Sequence, residues 1–287
     1  MTSISGRPDP VVRVITHADI VAALTKGMND FQAAPLYGVM FGGIYAAGGL
    51  LILACATTLG MGYLVYPLAA GFVLIGPYVA VGLYEVSRRR ETGEPLSFKA
   101  VWGVMINRRE IAWMAFVTLF VFIIWMYQVR LLLALFLGIN ASFANLEQFV
   151  TVVLTTPEGL LFLAIGHVIG AILALMLFSL TVVSFPLLLD RDLDFVTAMI
   201  TSLRAVTKSP LPMLGWAAVI VFQLVISIVP FFLGLLITLP VLGHATWHLY
   251  RRAVLPQGQI DDAAETANAA RGLYARRSSE AVPLTPE

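Results

Sequence analysis

Six long apolar blocks, at about 36–59, 62–84, 111–137, 160–189, 211–229 and 231–250, leave this chain few ways to fold. A helix crossing the hydrocarbon core of a bilayer needs roughly 20 mostly apolar residues at 1.5 Å rise each. Each block is about that long. Charged residues make up 12% of the chain, half the share usual in soluble domains, roughly a quarter, so a water-soluble globule is excluded. The first two blocks are joined by Gly60-Met61-Gly62. The last two form one apolar stretch, 211–250. As one helix it would run roughly 60 Å, twice the membrane, so a turn is expected around Pro230, within Ser227 through Gly234.

The basic residues set the orientation. Arg7, Arg13 and Lys26 precede the first block. Arg88, Arg89, Arg90, Lys99, Arg108 and Arg109 follow the second. Arg191, Arg204 and Lys208 follow the fourth, and Arg251, Arg252, Arg271, Arg276 and Arg277 follow the sixth. These are 17 of the 18 Lys and Arg residues, all in alternate segments. Basic loops stay in the cytoplasm, which predicts cytoplasmic termini and an even number of spans. The first 35 residues lack the pattern of a secretory signal, and the mature chain is expected to begin near Met1. The single cysteine, Cys55, excludes an intrachain disulfide. The expected division is a flexible N-terminus at 1–15, a six-span membrane domain at 16–255 and a polar, partly disordered cytoplasmic tail at 256–287. Asp261, Asp262 and Glu265 early in that tail, with Arg271, Arg276 and Arg277 late, suit a marginal helix.

An internal pattern repeats. Asp19-Ile20-Val21-Ala22-Ala23-Leu24, with Gly27-Met28, Phe31 and Pro35-Leu36, is matched without a gap 175 residues on. There it reads Asp194-Phe195-Val196-Thr197-Ala198-Met199, with Ser202-Leu203, Val206 and Pro210-Leu211. Ile20, Leu24, Met28 and Phe31, and Phe195, Met199, Leu203 and Val206, fall at helical spacing. Phe98, Val101, Trp102, Met105 and Ile106 repeat the spacing. These are read as amphipathic helices along the cytoplasmic face, each leading into an outward span. The returning spans match as well: Pro77 through Arg88-Arg89 aligns on Pro240 through Arg251-Arg252, with Tyr84 opposite Trp247, and Pro186 takes the same place in the fourth. Buried prolines kink helices, and an aromatic before the arginines suits the headgroup layer. The expected fold is an all-α polytopic membrane bundle of six transmembrane helices in three hairpins, each preceded by a cytoplasmic interfacial helix. Gly38, Gly42, Ala46 and Gly49, and Gly166, Gly170 and Ala174, make small-residue stripes suited to close packing.

Three runs carry a family resemblance: Phe185-Pro186-Leu187-Leu188-Leu189-Asp190-Arg191-Asp192-Leu193-Asp194-Phe195-Val196-Thr197-Ala198, Leu239-Pro240 through Tyr250-Arg251-Arg252, and Gly76-Pro77-Tyr78 through Leu83-Tyr84-Glu85. The chain resembles, over roughly 15–255, a bacterial family of predicted integral membrane proteins, domain of unknown function 2189. The resemblance implies a multi-pass inner-membrane protein, sometimes labelled as related to cytochrome c oxidase subunit I, and carries no established biochemistry. The three-unit pattern is more distantly similar to membrane domains accompanying some glycerophosphodiester phosphodiesterases, whose catalytic domain is absent here.

Few side chains offer chemistry. His244 and His248 share one helix face and are candidate metal ligands, with Asp190, Asp192 or Asp194 as a third; the alternative is interfacial histidines bonded to backbone or headgroups. His167 sits near the other side of the membrane, too far to share a haem with them. Arg130 lies about 30 Å along the third helix from Glu110, where it either snorkels or pairs with Gln128, Glu147 or Glu158 along a polar path. Asp190, Asp192 and Asp194 are otherwise helix caps and bridges, with Asp194, and Thr16 or Asp19, at N-termini. No hydrolase nucleophile, phosphate loop or nucleic-acid surface is visible, so neither an enzyme nor a cofactor is expected. The partners expected are the bilayer and other inner-membrane subunits. Three functions follow: an accessory, assembly or scaffold component of a membrane complex, respiratory complexes included; a transporter or channel for a small or lipid-like molecule; and a metal- or haem-binding membrane protein.

Overall fold

The computed structural model describes residues 9–58, 76, 79–138 and 146–256. Most of the second apolar block and all of the tail beyond 256 lie outside these residues. In chain order the helices are α1 (His17–Ala33), α2 (Pro35–Thr57), α3 (described over 79–92), α4 (Phe98–Asn107), α5 (Arg109–Phe136), α6 (Leu146–Thr155), α7 (Pro157–Thr181), α8 (Ser184–Asp190), α9 (Phe195–Lys208), α10 (Pro210–Ile228) and α11 (Leu235–Ala253). Among the described residues, four stretches are long and apolar enough to cross a membrane: Pro35–Cys55, Arg109–Phe136, Pro157–Asp190 and Pro210–Ile228. The helix α11 is not among them. Beyond Pro240 it carries His244, His248, Arg251 and Arg252, and most of that half is buried in protein. The short helix α6 lies between the third and fourth apolar blocks.

Amphipathic helix and span are joined by one residue in every case: Ala34, Arg108 and Ser209. Ala34 (φ −136°, ψ 53°) and Ser209 (φ −136°, ψ 61°) have nearly the same backbone conformation, and they are 175 residues apart. The cause is local. Pro35 and Pro210 follow them, and a proline forbids the helical region to the residue before it while itself suiting the first helical turn. At the middle junction Arg109 stands in place of proline and Arg108 is extended. Helix starts are capped as their sequences allow. Thr16 and Asp19 form a reciprocal capping box, and Ser97, Thr156 and Asp194 each accept a backbone N–H.

The buried stripe of α1 is not the most apolar one. Ile20, Ala23, Gly27 and Asp30 are buried, while Val21 and Met28 are exposed. A Cβ on Gly27 would stand 2.6 Å from the Ala245 backbone nitrogen, so α1 lies directly on α11. Close backbone approach selects small side chains at Ala23 and Gly27; Ile20 is buried beside them, Leu24 is half-buried, and Met28 is left outside. The same positions are buried in α9, where Ala198, Ser202 and Ala205 stand 175 residues after Ala23, Gly27 and Asp30.

Glycine serves α2 likewise. Gly42 would meet the Leu235 carbonyl, Gly38 the Phe31 ring and Gly49 the Phe232 ring, each closer than 3.0 Å if a Cβ were present. The second stripe is different: Gly170 has nothing within 4 Å, and Gly166 only a Leu132 methyl at 3.6 Å. Pro186 breaks the fourth span at 182–183, and there the Val183 N–H donates to Ser202 Oγ at 3.1 Å. Pro240 stands inside an unbroken α11, and Pro77 lies outside the described residues. The predicted turn after α10 occupies 229–234, with Phe231 (φ 53°) and Phe232 (φ 65°) in left-handed conformations. Bulky residues are strained there. Phe232 packing on Gly49, and Ser227 Oγ 2.6 Å from Thr238 Oγ1, hold the turn.

Each amphipathic helix packs on a unit other than its own. The helix α1 rests on α11, and α9 rests on α7 and α8. On α4, Val101 joins a cluster with Phe41 of α2 and Leu83 and Val86 of α3, and Tyr37 stacks on Phe98. Residues 10–15 run back along the end of α11, where Arg13 N–H donates to the Ala253 carbonyl and Leu255 N–H to Val11.

Candidate functional site

The densest polar cluster among the described residues lies where α1, α3 and α11 meet. Asp30 stands on the buried face of α1, four positions before Ala34 ends the unit's first helix. Ser87 and Arg90 come from α3, and His244 and His248 stand one turn apart on α11. Ser87 Oγ donates to Asp30 Oδ2 at 2.7 Å and lies 2.8 Å from His244 Nδ1. Since the single hydroxyl hydrogen goes to the carboxylate, His244 Nδ1 must carry the hydrogen between the ring and Ser87. His248 Nε2 lies 2.7 Å from the same Asp30 Oδ2, and Arg90 Nε donates to Oδ1 at 2.9 Å. Asp30, Ser87, His244 and His248 are all buried. Burial alone would raise the Asp30 pKa, but the bonds from His248, Ser87 and Arg90 outweigh it and bring it down to about 2.

The cluster is therefore a chain, His248–Asp30–Ser87–His244, that stops at His244 Nε2. That nitrogen is buried with no hydrogen-bond partner among the described residues. Leaving a buried polar atom unmatched costs about 1–3 kcal/mol.

Around this chain runs a belt of ion pairs. Glu85, fully buried, accepts two bonds from Arg88, at 2.8 and 2.9 Å, and one from Arg89 at 2.6 Å. Trp247 Nε1 donates to Glu91 at 3.0 Å, and Arg251 reaches both Glu91 and Asp190. Tyr250 donates to Asp190 at 2.5 Å. Asp19 takes Arg252 at 2.8 Å and Arg13 at 2.9 Å. Trp247 and Tyr84, the aromatics before the arginines, are buried against neighbouring helices.

The residues singled out from sequence are thus redistributed. His248 does meet a carboxylate, but it is Asp30, and His244 reaches that carboxylate only through Ser87. Asp190 holds Tyr250 and Arg251, Asp192 pairs with Arg108 at 3.0 Å, and Asp194 caps α9. Among the described residues no group of three or more His, Cys, Asp or Glu is placed to hold a metal. Arg130 is exposed on α5 and makes no ion pair with a described residue; Glu147 and Glu158 are exposed in the first turns of α6 and α7. The Gln128 amide is buried without a partner among the described residues. His167 bonds back to the Leu163 carbonyl of its own helix. Asp30, Ser87 and Arg90 were not anticipated. The available signal was a carboxylate at a position that α1 buries, three residues beyond Gly27.

A bundle of long apolar helices, closed at one end by buried ion pairs, defines a polytopic helical membrane protein. Residues 65–190 match the family profile described as predicted integral membrane protein, domain of unknown function 2189. The matched stretch includes Gly76 through Glu85 and Phe185 through Asp190, and stops short of the Leu239–Arg252 run. Neither the curated proteins nor the solved structures searched gave a match.

Proposed function

We propose that this protein is a non-catalytic accessory or assembly component of a bacterial inner-membrane complex, spanning the membrane six times with both termini in the cytoplasm. The observation that carries this reading is the outward face of the α5–α7 hairpin. None of the most apolar window of Pro157–Asp190 is buried in the chain, and 11% of that of Arg109–Phe136 is. Helices organised around their own transport path bury more of themselves against each other. Over those windows the two stretches leave most of their side chains to whatever surrounds them, while the polar groups at the charged end are engaged mainly with one another. The matched junctions at Ala34 and Ser209, and the matched buried faces of α1 and α9, support a repeat relating the first and third units.

The competing reading, a carrier for a small or lipid-like molecule, draws on the unpartnered Gln128 amide inside α5. Purification of tagged protein from native membranes in mild detergent, with copurifying proteins quantified, separates the two. A stoichiometric partner, lost when Val168 and Ile172 on the exposed face of α7 are replaced by bulkier tryptophans, supports the accessory role. Recovery of the protein alone with tightly held lipid moves the weight to transport. Reporter fusions at residue 256 and in the 138–145 segment test the orientation.

A further inference from the structure

At the basic end of the bundle a cleft of about 260 Å³ opens between the start of α5 and the link from α8 to α9. Its walls carry three guanidinium groups, Arg108, Arg109 and Arg191, and two carboxylates, Glu110 and Asp192. Both carboxylates are engaged: Glu110 accepts the Phe195 N–H at 3.1 Å, and Asp192 pairs with Arg108 at 3.0 Å. Arg191 is turned toward the Leu255 carbonyl and Asp190. Arg109 is exposed and makes no ion pair with a described residue. Three guanidinium groups against two carboxylates leave the walls one positive charge in excess, with the Arg109 guanidinium available at the mouth.

What lies beside it specifies the ligand. Arg109 is the first residue of the Arg109–Phe136 span, so the cleft sits where apolar helix begins. One turn further, Trp113 stacks on Phe195 with ring centroids 6.0 Å apart. Beyond it, Phe116 and Phe120 are more than half exposed on α5. Tryptophan at this level is typical of the membrane boundary. A guanidinium fork matches phosphate oxygens in geometry as well as charge, and basic pockets between membrane helices receive acidic headgroups. A volume near 260 Å³ holds a group several waters in size, at about 30 Å³ each.

We propose that this cleft binds the phosphate of an anionic phospholipid, whose acyl chains lie along Phe116 and Phe120. The shared chemistry with free phosphate is the anion; the aromatic stretch beside the cleft favours the lipid. Native mass spectrometry of the full, delipidated protein provides the test, with phosphatidylglycerol and phosphatidylcholine of identical chains and, separately, inorganic phosphate. Phosphatidylglycerol is expected to bind at least fivefold more tightly than phosphatidylcholine. Arg109→Gln is expected to erase that preference, and Arg109→Lys to keep part of it. Lys99→Gln, which removes an equal charge from an exposed position of α4, leaves it unchanged. Arg109 holds nothing described in the fold, so the Tm of Arg109→Gln should match that of the parent; should it fall, Arg109→Lys carries the comparison. Equal binding of the two lipids, or a preference that survives Arg109→Gln, overturns the proposal. Inorganic phosphate binding as tightly as phosphatidylglycerol overturns the lipid assignment.

Discussion

His248 Nε2 and Asp30 Oδ2 lie 2.7 Å apart across the α1–α11 contact, and the same oxygen takes the Ser87 hydroxyl from α3. One carboxylate oxygen therefore ties together three helices that are far apart in sequence. Asp30→Asn keeps the shape and removes the charge facing Arg90 and His248. Breaking a buried pair from one side costs about 3–5 kcal/mol; Arg90 is partly solvated, so the lower end is expected. Thermal unfolding in detergent should show a Tm several degrees below the parent's, and an unchanged Tm would remove the cluster from any structural role.

The same carboxylate dictates an acid response. Its pKa in the folded protein is about 2, below the roughly 3.9 of an unfolded chain. A depressed acid stabilises the fold above its unfolded pKa and loses that contribution as pH falls through the folded value. Stability should therefore be insensitive to Asp30 above about pH 5 and decline between about pH 4 and 2, by about 2–3 kcal/mol in all. Asp19 and Asp194, also shifted downward, act in the same direction. Comparing Tm against pH for the parent and Asp30→Asn isolates the Asp30 share as the difference in slope.

Gly27 and Gly170 make a paired test of close packing. Gly27→Val forces a side chain into the Ala245 backbone, where overpacking costs typically 1–3 kcal/mol and more when backbone is hit. Low yield of folded protein and a depressed Tm are expected. Gly170→Val meets open space and should leave the Tm within a degree or two. If the two variants behaved alike, the α1–α11 contact described here would be wrong.

Ser209 closes another long-range link. Its hydroxyl oxygen accepts the Ile15 N–H at 2.8 Å across 194 residues, and both residues are buried. Ser209→Ala strands that N–H, at about 1–3 kcal/mol. The expected readout is faster protease cleavage within residues 9–15 with the remaining bundle intact; cleavage at the parental rate would show that the strap is held by other contacts.

The element pattern was readable in the chain because it is local. Apolar block length, prolines at 35, 186 and 210, and cap residues such as Thr16 and Asp194 act through their immediate neighbours. They set where helices start, break and join, down to the matching backbone at Ala34 and Ser209. The turn around Pro230 followed from length alone.

Which face of each helix turns inward was decided by tertiary contact. Periodicity marks Ile20, Leu24, Met28 and Phe31 as one stripe, but the buried face of α1 runs through Ile20, Ala23 and Gly27, leaves Met28 outside and carries Asp30 in with it. Asp30 then meets His248, Ser87 and Arg90, residues 57 or more positions away. No local spacing encodes such a meeting, because it depends on how closely two backbones approach. Asp190, Asp192 and Asp194, adjacent in sequence, are sent by the fold to three unrelated partners. Helices and their joints were thus determined by the sequence itself; the polar cluster and the arginine cleft exist only through the packing of helices onto one another.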